Sequence, residues 1–387
     1  MNFLSVEPGV VVYEYGMIAL PPPLKQVDRT YVHFRGRQLS YFGGCDYFRL
    51  ASHPAVLRAA CEGVDQYGLN VAASRRTTGN HELYGRLEQR LARFFGAEAA
   101  VLVSNGYFSN LVVAQSLAGE FTHALVDARA HVSLRDAAAL LACPVILFGH
   151  ADAVDLARRL RRLSKSAKPL LLTDGMFSHD GSLAPLAAYL KLLPRGGRLL
   201  LDDAHGAGVL GRQGRGTLEL AGLDHERVIQ TMTLSKAFGV YGGAVLASRA
   251  VCGRILERSR IFTGNTPLPL PLVSAALRSL AILKQDQGMR GRLGRNTERV
   301  KSGVRAIGLP VADTPSPIIA VVPDHARRAR RLTRSLLAAG IYPSFIHYPG
   351  GPESGYFRFA LSSEHTAAQL DQLVKVLSGF GWRPKEG

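Results

Sequence analysis

The segment Thr233-Leu234-Ser235-Lys236-Ala237-Phe238-Gly239 sets a lysine just after an apolar run, with hydroxyls before it and Gly242 and Gly243 close behind. A lysine amine that is partly deprotonated can form an imine with an aldehyde and later shuttle a proton, and flanking hydroxyls suit a phosphate ester. A loop lysine is more often a solvated cation, so the segment acquires meaning only beside others. Leu199-Leu200-Leu201-Asp202-Asp203-Ala204-His205-Gly206 ends a second apolar run in carboxylates, with a histidine three positions after the first. A carboxylate at a buried strand end is costly unless it meets a cation, and a protonated pyridine nitrogen is such a cation. Helix capping by Asp202 and Asp203 is the plainer alternative. On the chemical reading Asp202 sets the electronics of a heteroaromatic ring used as an electron sink, and His205 bonds a phenolic oxygen on that ring.

Two further stretches could complete such a site. Asn105-Gly106-Tyr107, between a strand-like run and a helical one, would offer free backbone N–H groups and the positive end of a helix dipole to a phosphate. Helix starts of this composition are common, so the signal is a matter of combination. His131, in Asp127-Ala128-Arg129-Ala130-His131, could stack on a flat ring, although a lone histidine is more often an ordinary surface or hydrogen-bonded residue.

These residues need elements to hold them. Short apolar runs at 169–172, 199–201 and 228–232 each stop abruptly at polar residues, as buried strands do. Helical periodicity fills 152–163 and 183–193, so strands alternate with helices in the manner of a mainly parallel sheet covered on both faces. Ligands of such sheets sit beyond the carboxyl ends of the strands, where the polar residues above fall. Upstream, Leu83, Leu87, Leu91 and Phe95 recur every four residues and predict a helix over 81–95, followed by a strand over 97–103. Beyond 272 the pattern becomes a long helix, a strand at 318–322, an arginine-rich helix, strands near 341–346 and 357–361, and a last helix over 366–377. The expected organisation is an N-terminal segment (1–45), a large domain (46–272) and a small C-terminal α+β domain (273–387). No internal repeat or low-complexity stretch is apparent.

Composition bounds the rest. The chain has 387 residues, 47% of them hydrophobic, which is ample for a core plus a second domain. No apolar run approaches the roughly 20 residues of a membrane span. The N-terminus lacks the features of a secretory signal, and Glu7 and Glu14 argue against a mitochondrial presequence, so a cytoplasmic location is expected. Cys45, Cys61, Cys143 and Cys252 have no paired spacing, which suggests neither disulfides nor a metal site. The formal charge of +17 is compatible with a nucleic-acid surface or an anionic substrate. Its basic residues are scattered, however, and the run Arg327, Arg328, Arg330, Arg331 and Arg334 reads as one solvated helix face, so nucleic acid is not the expected partner.

Taken in order, the motifs resemble those of the α-oxoamine synthase family of fold-type I pyridoxal-phosphate enzymes. The matches run from Asp46-Tyr47 and Ser52-His53-Pro54 through Thr78-Gly79-Asn80-His81, Ser104 to Asn110 and Asp174-Gly175-Met176-Phe177-Ser178. They continue with Asp180-Gly181, Asp202 to Gly208, Gly214-Arg215-Gly216 and Leu234-Ser235-Lys236. The resemblance implies an aspartate-aminotransferase-like α/β fold, with a mainly parallel central sheet covered by helices and a smaller C-terminal domain. It implies pyridoxal 5′-phosphate as cofactor, Lys236 as the Schiff-base lysine, Asp202 at the pyridine nitrogen, His205 and Ser178 near the phenolic oxygen, and His131 stacked on the ring. Gly106, Tyr107 and Thr233 would hold the phosphate, joined by Thr266 reaching in from the second subunit of a homodimer whose active site lies at the interface. Arg358 would grip the substrate carboxylate, a task suited to a planar bidentate donor; an ordinary strand arginine is the plainer reading.

The implied reaction is a decarboxylating condensation of a small amino acid with an acyl-CoA or other acyl thioester, giving an α-amino ketone. The chain departs from the family pattern at several places. Cys45 stands where asparagine is usual beside the substrate carboxylate, and is read either as a small apolar residue or as a reactive thiol at the substrate site. His179 replaces a methionine, Val71-Ala72-Ala73-Ser74 replaces a Gly/Ser-rich stretch, and Pro349-Gly350-Gly351-Pro352 replaces a Pro-Thr-Val-Pro turn. Two alternatives therefore stay open: a different carbanion reaction on the same cofactor (aldol-type, decarboxylation or racemisation), and a noncatalytic scaffold or nucleic-acid-binding regulator that retains the fold.

Overall fold

A computed structural model describes residues 14–15, 18–19, 22–26, 28–347 and 351–380. Pro349 and Gly350 of the altered turn lie outside the described residues. The central sheet has seven strands: β1 (Ala99–Val103), β2 (His123–Asp127), β3 (Val145–Phe148), β4 (Pro169–Asp174), β5 (Arg198–Asp202), β6 (Val228–Thr233) and β7 (Gly243–Ala247). Their order is β1-β7-β6-β5-β4-β2-β3. The pairs β2–β3, β2–β4, β4–β5 and β5–β6 are parallel, whereas β7 runs antiparallel to both β6 and β1. Every residue of β4, β6 and β7 is buried, which explains why their sequences read as apolar runs rather than alternations.

Helices cover both faces. On one side Pro54–Tyr67, Glu82–Phe95 and Leu270–Gln285 pack through Val56, Leu87, Leu91, Val273 and Leu280 against Leu102, Met232 and Leu246. On the other, Gly106–Ser116, Val132–Leu140 and Arg249–Arg258 bury Val112, Val113, Leu134 and Ile255 against Val126, Leu172, Leu200 and Val245. Leu83, Leu87, Leu91 and Phe95 are all buried, as their spacing requires.

The sequence pattern does not anticipate that β7 is antiparallel. This strand places the lysine segment in the tight connection 234–242 between β6 and β7, closed by Leu234 N–H to Gly242 carbonyl (2.9 Å) and Val240 N–H to Leu234 carbonyl (3.0 Å). The expected helix over 183–193 is shorter, Leu186–Leu192, because residues 177–184 fold into a turn in which Phe177 N–H bonds the Ser182 carbonyl.

A second sheet of β8 (Ile318–Val321), β9 (Phe345–Ile346) and β10 (Tyr356–Ala360) is antiparallel, in the order β8-β10-β9. Its core joins Ile319, Val321, Phe357 and Phe359 to the helices Gln287–Ala306, Ala326–Ala338 and Ala367–Ser378. The long helix expected after 272 is two helices, interrupted at Asp286, which caps the second by accepting from Met289 N–H. Leu270–Gln285 runs unbroken across residue 272 and packs in the core of the large unit. The arginine-rich helix buries only Ala329, Leu332 and Leu336; Arg327, Arg330, Arg331 and Arg334 are exposed, whereas Arg328 is half-buried and donates to the Phe380 carbonyl (2.8 Å).

Candidate active site

The carboxyl ends of β4, β5 and β6 stop side by side. Register pairs Asp202 with Asp174 on one flank and with Thr231 on the other, so three adjacent strands deliver Asp174, Asp202 and Thr233 to one edge. Together with Gly106, Tyr107, His131, His205 and Lys236 they line a cavity of about 240 Å³.

Lys236 Nζ lies 2.8 Å from His205 Nε2, and His205 Nδ1 lies 2.7 Å from the Tyr47 hydroxyl. Burial lowers the pKa of the Lys236 amine, an effect partly opposed by Cys45 and Asp202. Burial, reinforced by Lys236 and Arg358, also holds His205 well below the usual imidazole range. The pair thus offers a lysine eased toward its neutral, nucleophilic form beside a neutral imidazole.

Asp202 is 6% exposed. Its Oδ1 accepts from Ala204 N–H (3.0 Å) and its Oδ2 from Asn110 Nδ2 (2.7 Å). Asp174 accepts from the backbone N–H of His131 (2.8 Å), and burial followed by repulsion from Asp202 lifts its pKa far above the usual carboxylate range. Burial lowers the His131 imidazole. Asp203 faces away from the cavity: it accepts from Thr217 N–H, Thr217 Oγ1 and Gln230 Nε2, and pins the segment after β5. Gly216 makes this possible, having φ of 93° and sitting where a Cβ would come within 1.9 Å of Asp203 Oδ2.

The helix Gly106–Ser116 points its N-terminus at the cavity, capped by Asn105, whose Oδ1 accepts from Phe108 N–H (3.0 Å). A Cβ on Gly106 would lie 2.7 Å from Thr233 Cβ, so glycine is what lets this helix start close against β6. Thr233 Oγ1 donates to the Gly242 carbonyl (3.0 Å) and accepts from Ser235 N–H (3.1 Å). First-turn N–H groups beside a hydroxyl form a suitable seat for a phosphate.

Arg358, on β10, reaches back from the smaller sheet. Its Nε donates to the Ser178 carbonyl (2.5 Å), Nη1 to the Gly44 carbonyl (3.5 Å) and Nη2 to Cys45 Sγ (3.5 Å). Burial acts to raise the Cys45 thiol pKa, but Arg358 and Lys236 outweigh it and leave the thiol lowered. Cys45 is therefore coupled electrostatically to Arg358 and Lys236.

Of the residues singled out from sequence, the structure gathers Gly106, Tyr107, His131, Asp202, His205, Thr233 and Lys236 round one cavity, with Cys45 and Arg358 coupled to Lys236. Ser178 meets this group through its carbonyl bond to Arg358. Thr266 is placed elsewhere within the chain, in a small recess shared with Arg75, Ser104 and Phe262. Two family departures, His179 and Gly351, line a common cavity of about 390 Å³ with Arg129, Ala320, Val322 and Tyr356.

Sequence reasoning missed Tyr47, Asn110 and Ser133 as parts of this centre. Asp174, which ends an apolar strand just as Asp202 does, falls where the strand pattern places chemistry, although the sequence assigns it no role. Asn110 and Ser133 lie one helical turn or a single residue inside helices, where nothing in the local pattern separates a buried polar group in a network from an exposed one.

The family model for aminotransferases of class I and II matches residues 45–377. An 8-amino-7-oxononanoate synthase from Thioalkalivibrio sulfidiphilus is 38% identical over 88% of each chain. One from Nitrosomonas europaea is 35% identical, over 94% of this chain and 95% of its own. The structure also resembles the solved serine palmitoyltransferase of Sphingomonas wittichii, with TM-score 0.84 and 30% identity over 92% of this chain and 90% of that one. A lysine-to-alanine variant of a serine palmitoyltransferase from S. paucimobilis, solved with a bound PLP–myriocin aldimine, gives TM-score 0.86 and 28% identity over 92% and 91% of the two chains.

Proposed function

Since the chain belongs to the aminotransferase class I and II family, in its α-oxoamine synthase branch, we propose that it joins a small amino acid to an acyl thioester with loss of carbon dioxide, giving an α-amino ketone. It is a pyridoxal-phosphate-dependent C-acyltransferase. The observation that carries the reading is the cleft in which a half-buried amine, Lys236, and a buried guanidinium, Arg358, both act on Cys45. Such a cleft can hold the α-carbon and the carboxylate of one amino acid at once.

The residues present fit the cofactor. Lys236 provides the amine for a Schiff base, and Asp202 keeps lone pairs available beyond its two hydrogen bonds for a protonated ring nitrogen. Gly106, Tyr107 and Thr233 would take the phosphate, His205 and Ser178 would sit toward the phenolic oxygen, and His131 would lie on the ring. The chemistry supplied by bound pyridoxal 5′-phosphate is an electron sink for charge developing at the amino acid's α-carbon.

The side chains do the rest. Lys236, once released, takes the α-proton, a role that requires its amine to be neutral and that burial assists. Arg358 grips the amino-acid carboxylate through its planar fork, with Ser178 and Gly44 carbonyls holding the guanidinium in place. The α-carbon bonds to the acyl carbon, the thiolate departs with the electron pair of the C–S bond, and the carboxylate is lost as carbon dioxide. Lys236 then returns a proton to the α-carbon.

The preferred thioester is that of coenzyme A, and the site is completed in a homodimer. Support for the dimer comes from Thr266, which lies apart from Lys236 within one chain, and from exposed Leu57, Val64 and Leu69 on one stretch of surface. Among the described residues no helix is long and apolar enough to cross a membrane, which fits the cytoplasmic site we assign. The test is to supply amino acids and acyl thioesters in combination and measure free thiol. Release that requires both partners, with matching carbon dioxide, is expected; no release across a broad panel would refute acyl transfer.

A further inference from the structure

Beneath the cavity floor lies a chain of side-chain hydrogen bonds whose direction can be worked out. Ser133 backbone N–H donates to His131 Nδ1 (3.3 Å), as the cap of the helix Val132–Leu140. A backbone N–H cannot accept, so this nitrogen of His131 must be the unprotonated one. Ser133 Oγ, 2.7 Å from the same nitrogen, therefore donates its hydrogen to it. That leaves Ser133 Oγ as an acceptor toward Asn110, 2.9 Å away, and fixes the NH₂ side of the Asn110 amide. The second hydrogen of that NH₂ then points at Asp202 Oδ2 (2.7 Å). The single hydrogen of Thr231 Oγ1 has two acceptors in reach, the Asn110 carbonyl oxygen (2.7 Å) and the Leu201 carbonyl (3.2 Å), of which the Asn110 oxygen is the nearer.

The middle of the chain is shielded: Asn110 and Ser133 are 0% exposed and Thr231 is 1% exposed, while His131 is half-buried at the cavity wall. A flipped amide would set the Asn110 oxygen against Asp202 Oδ2 and could persist only if Asp202 were protonated. We propose that Asn110, oriented by Ser133 and bonded to Asp202 Oδ2, is a positioning residue that holds the Asp202 carboxylate in place for the cofactor's ring nitrogen. Asp202 receives two hydrogen bonds, from Asn110 and Ala204, while Asp174 receives its bond from the His131 backbone. The raised pKa of Asp174 agrees with this division. The same chain ties the orientation of the His131 ring to the charge on Asp202, so the group over the ring face and the group at the ring edge are set together.

The inference rests on the cofactor reading above. The charged and titratable groups that interact with Asp202 are Asp174 from β4, His131 at the start of the helix behind β2, Lys236 from the loop after β6 and Asp203 beside it.

The experiment compares wild type with Asn110→Asp and Ser133→Ala. Apo proteins are titrated with pyridoxal 5′-phosphate to obtain Kd, and the bound lysine-imine absorbance is followed across pH, with melting of the apo forms as a check on folding. Asn110→Asp keeps the shape but introduces a third acid. It should weaken binding about tenfold or more and move the midpoint of the imine titration. Ser133→Ala removes one of the two acceptors of the Asn110 NH₂ and should weaken binding about threefold, a loss comparable to that of one neutral hydrogen bond. If Asn110→Asp fails to fold, Ser133→Ala decides. Variants that melt like wild type and match its Kd and its titration midpoint overturn the proposal. A wild-type protein that binds no pyridoxal phosphate refutes the cofactor reading instead.

Discussion

The Lys236 amine and the His205 imidazole are direct neighbours, 2.8 Å apart, and the Tyr47 hydroxyl holds the far side of that imidazole at 2.7 Å. A buried lysine would be costly as an isolated cation. Here it meets a neutral acceptor in a polar cleft, so its charge is neither locked in by a carboxylate contact nor left without a partner. That balance suits a group which must be neutral to form an imine and protonated to return a hydrogen.

Lys236→Ala is expected to abolish both the imine absorbance and α-hydrogen exchange of amino-acid substrates. The fold should survive, because the loop is held by backbone bonds between Leu234, Val240 and Gly242. Spectroscopy and thermal melting of the same sample test it; a persisting imine band would show that another lysine is used.

Asp202→Ala should slow α-hydrogen exchange by about a hundredfold or more, the scale on which loss of a preorganised electrostatic partner is felt. Some cofactor should remain attached through Lys236. Exchange at the wild-type rate in cofactor-loaded variant would exclude Asp202 from the ring-nitrogen role.

For Arg358→Lys the half-saturating amino-acid concentration should rise about tenfold or more, since a charge-assisted bidentate contact of roughly 1.5–3 kcal/mol is reduced to a point charge. The imine spectrum without substrate should be unaltered. An unchanged amino-acid affinity would return Arg358 to an ordinary strand arginine.

Cys45 should be alkylated at neutral pH faster than Cys252, because Arg358 and Lys236 lower its thiol whereas burial pushes that of Cys252 up to about 12. A bound amino-acid substrate should protect it. Mass spectrometry of partially alkylated protein identifies the order, and equal labelling of the two cysteines would contradict the electrostatic coupling.

Lys301 is 1% exposed and donates to the Ala312 carbonyl (3.0 Å), the Thr314 carbonyl (2.6 Å) and Thr314 Oγ1 (3.3 Å). Burial, then Arg305, lowers its pKa to about 8. Between that value and the unfolded value near ~10.4 the unfolded chain binds the extra proton, so the Lys301 contribution to stability should rise with pH in this window. Lys301→Met should flatten that slope and cost about 1–3 kcal/mol at neutral pH by leaving buried acceptors unpaired. Denaturant unfolding at pH 7 and pH 10 checks both statements.

The cofactor-binding side of this protein could be read from residues 199–206 and 233–239 because buried strands write themselves as apolar runs, and the polar residue that ends such a run must lie at the sheet's edge. Family resemblance then supplied the assignments that spacing could not, including Arg358, more than a hundred residues from Lys236 in sequence. The groups that remained hidden were those defined by their partners. Asn110 and Ser133 look like any polar residues in helices. Packing shows what the neighbouring carboxylate Asp203 does: it is consumed by Thr217 and Gln230, while Asp202 lines the cavity. Likewise β7, antiparallel in an otherwise mostly parallel neighbourhood, could not be inferred from its composition, yet it creates the tight loop that presents Lys236. Local sequence records burial and periodicity, both set by near neighbours along the chain. Hydrogen-bond direction, the pairing of one charge with another and the partners that occupy Asp203 depend on atoms brought together from distant segments, and were settled only by the tertiary structure.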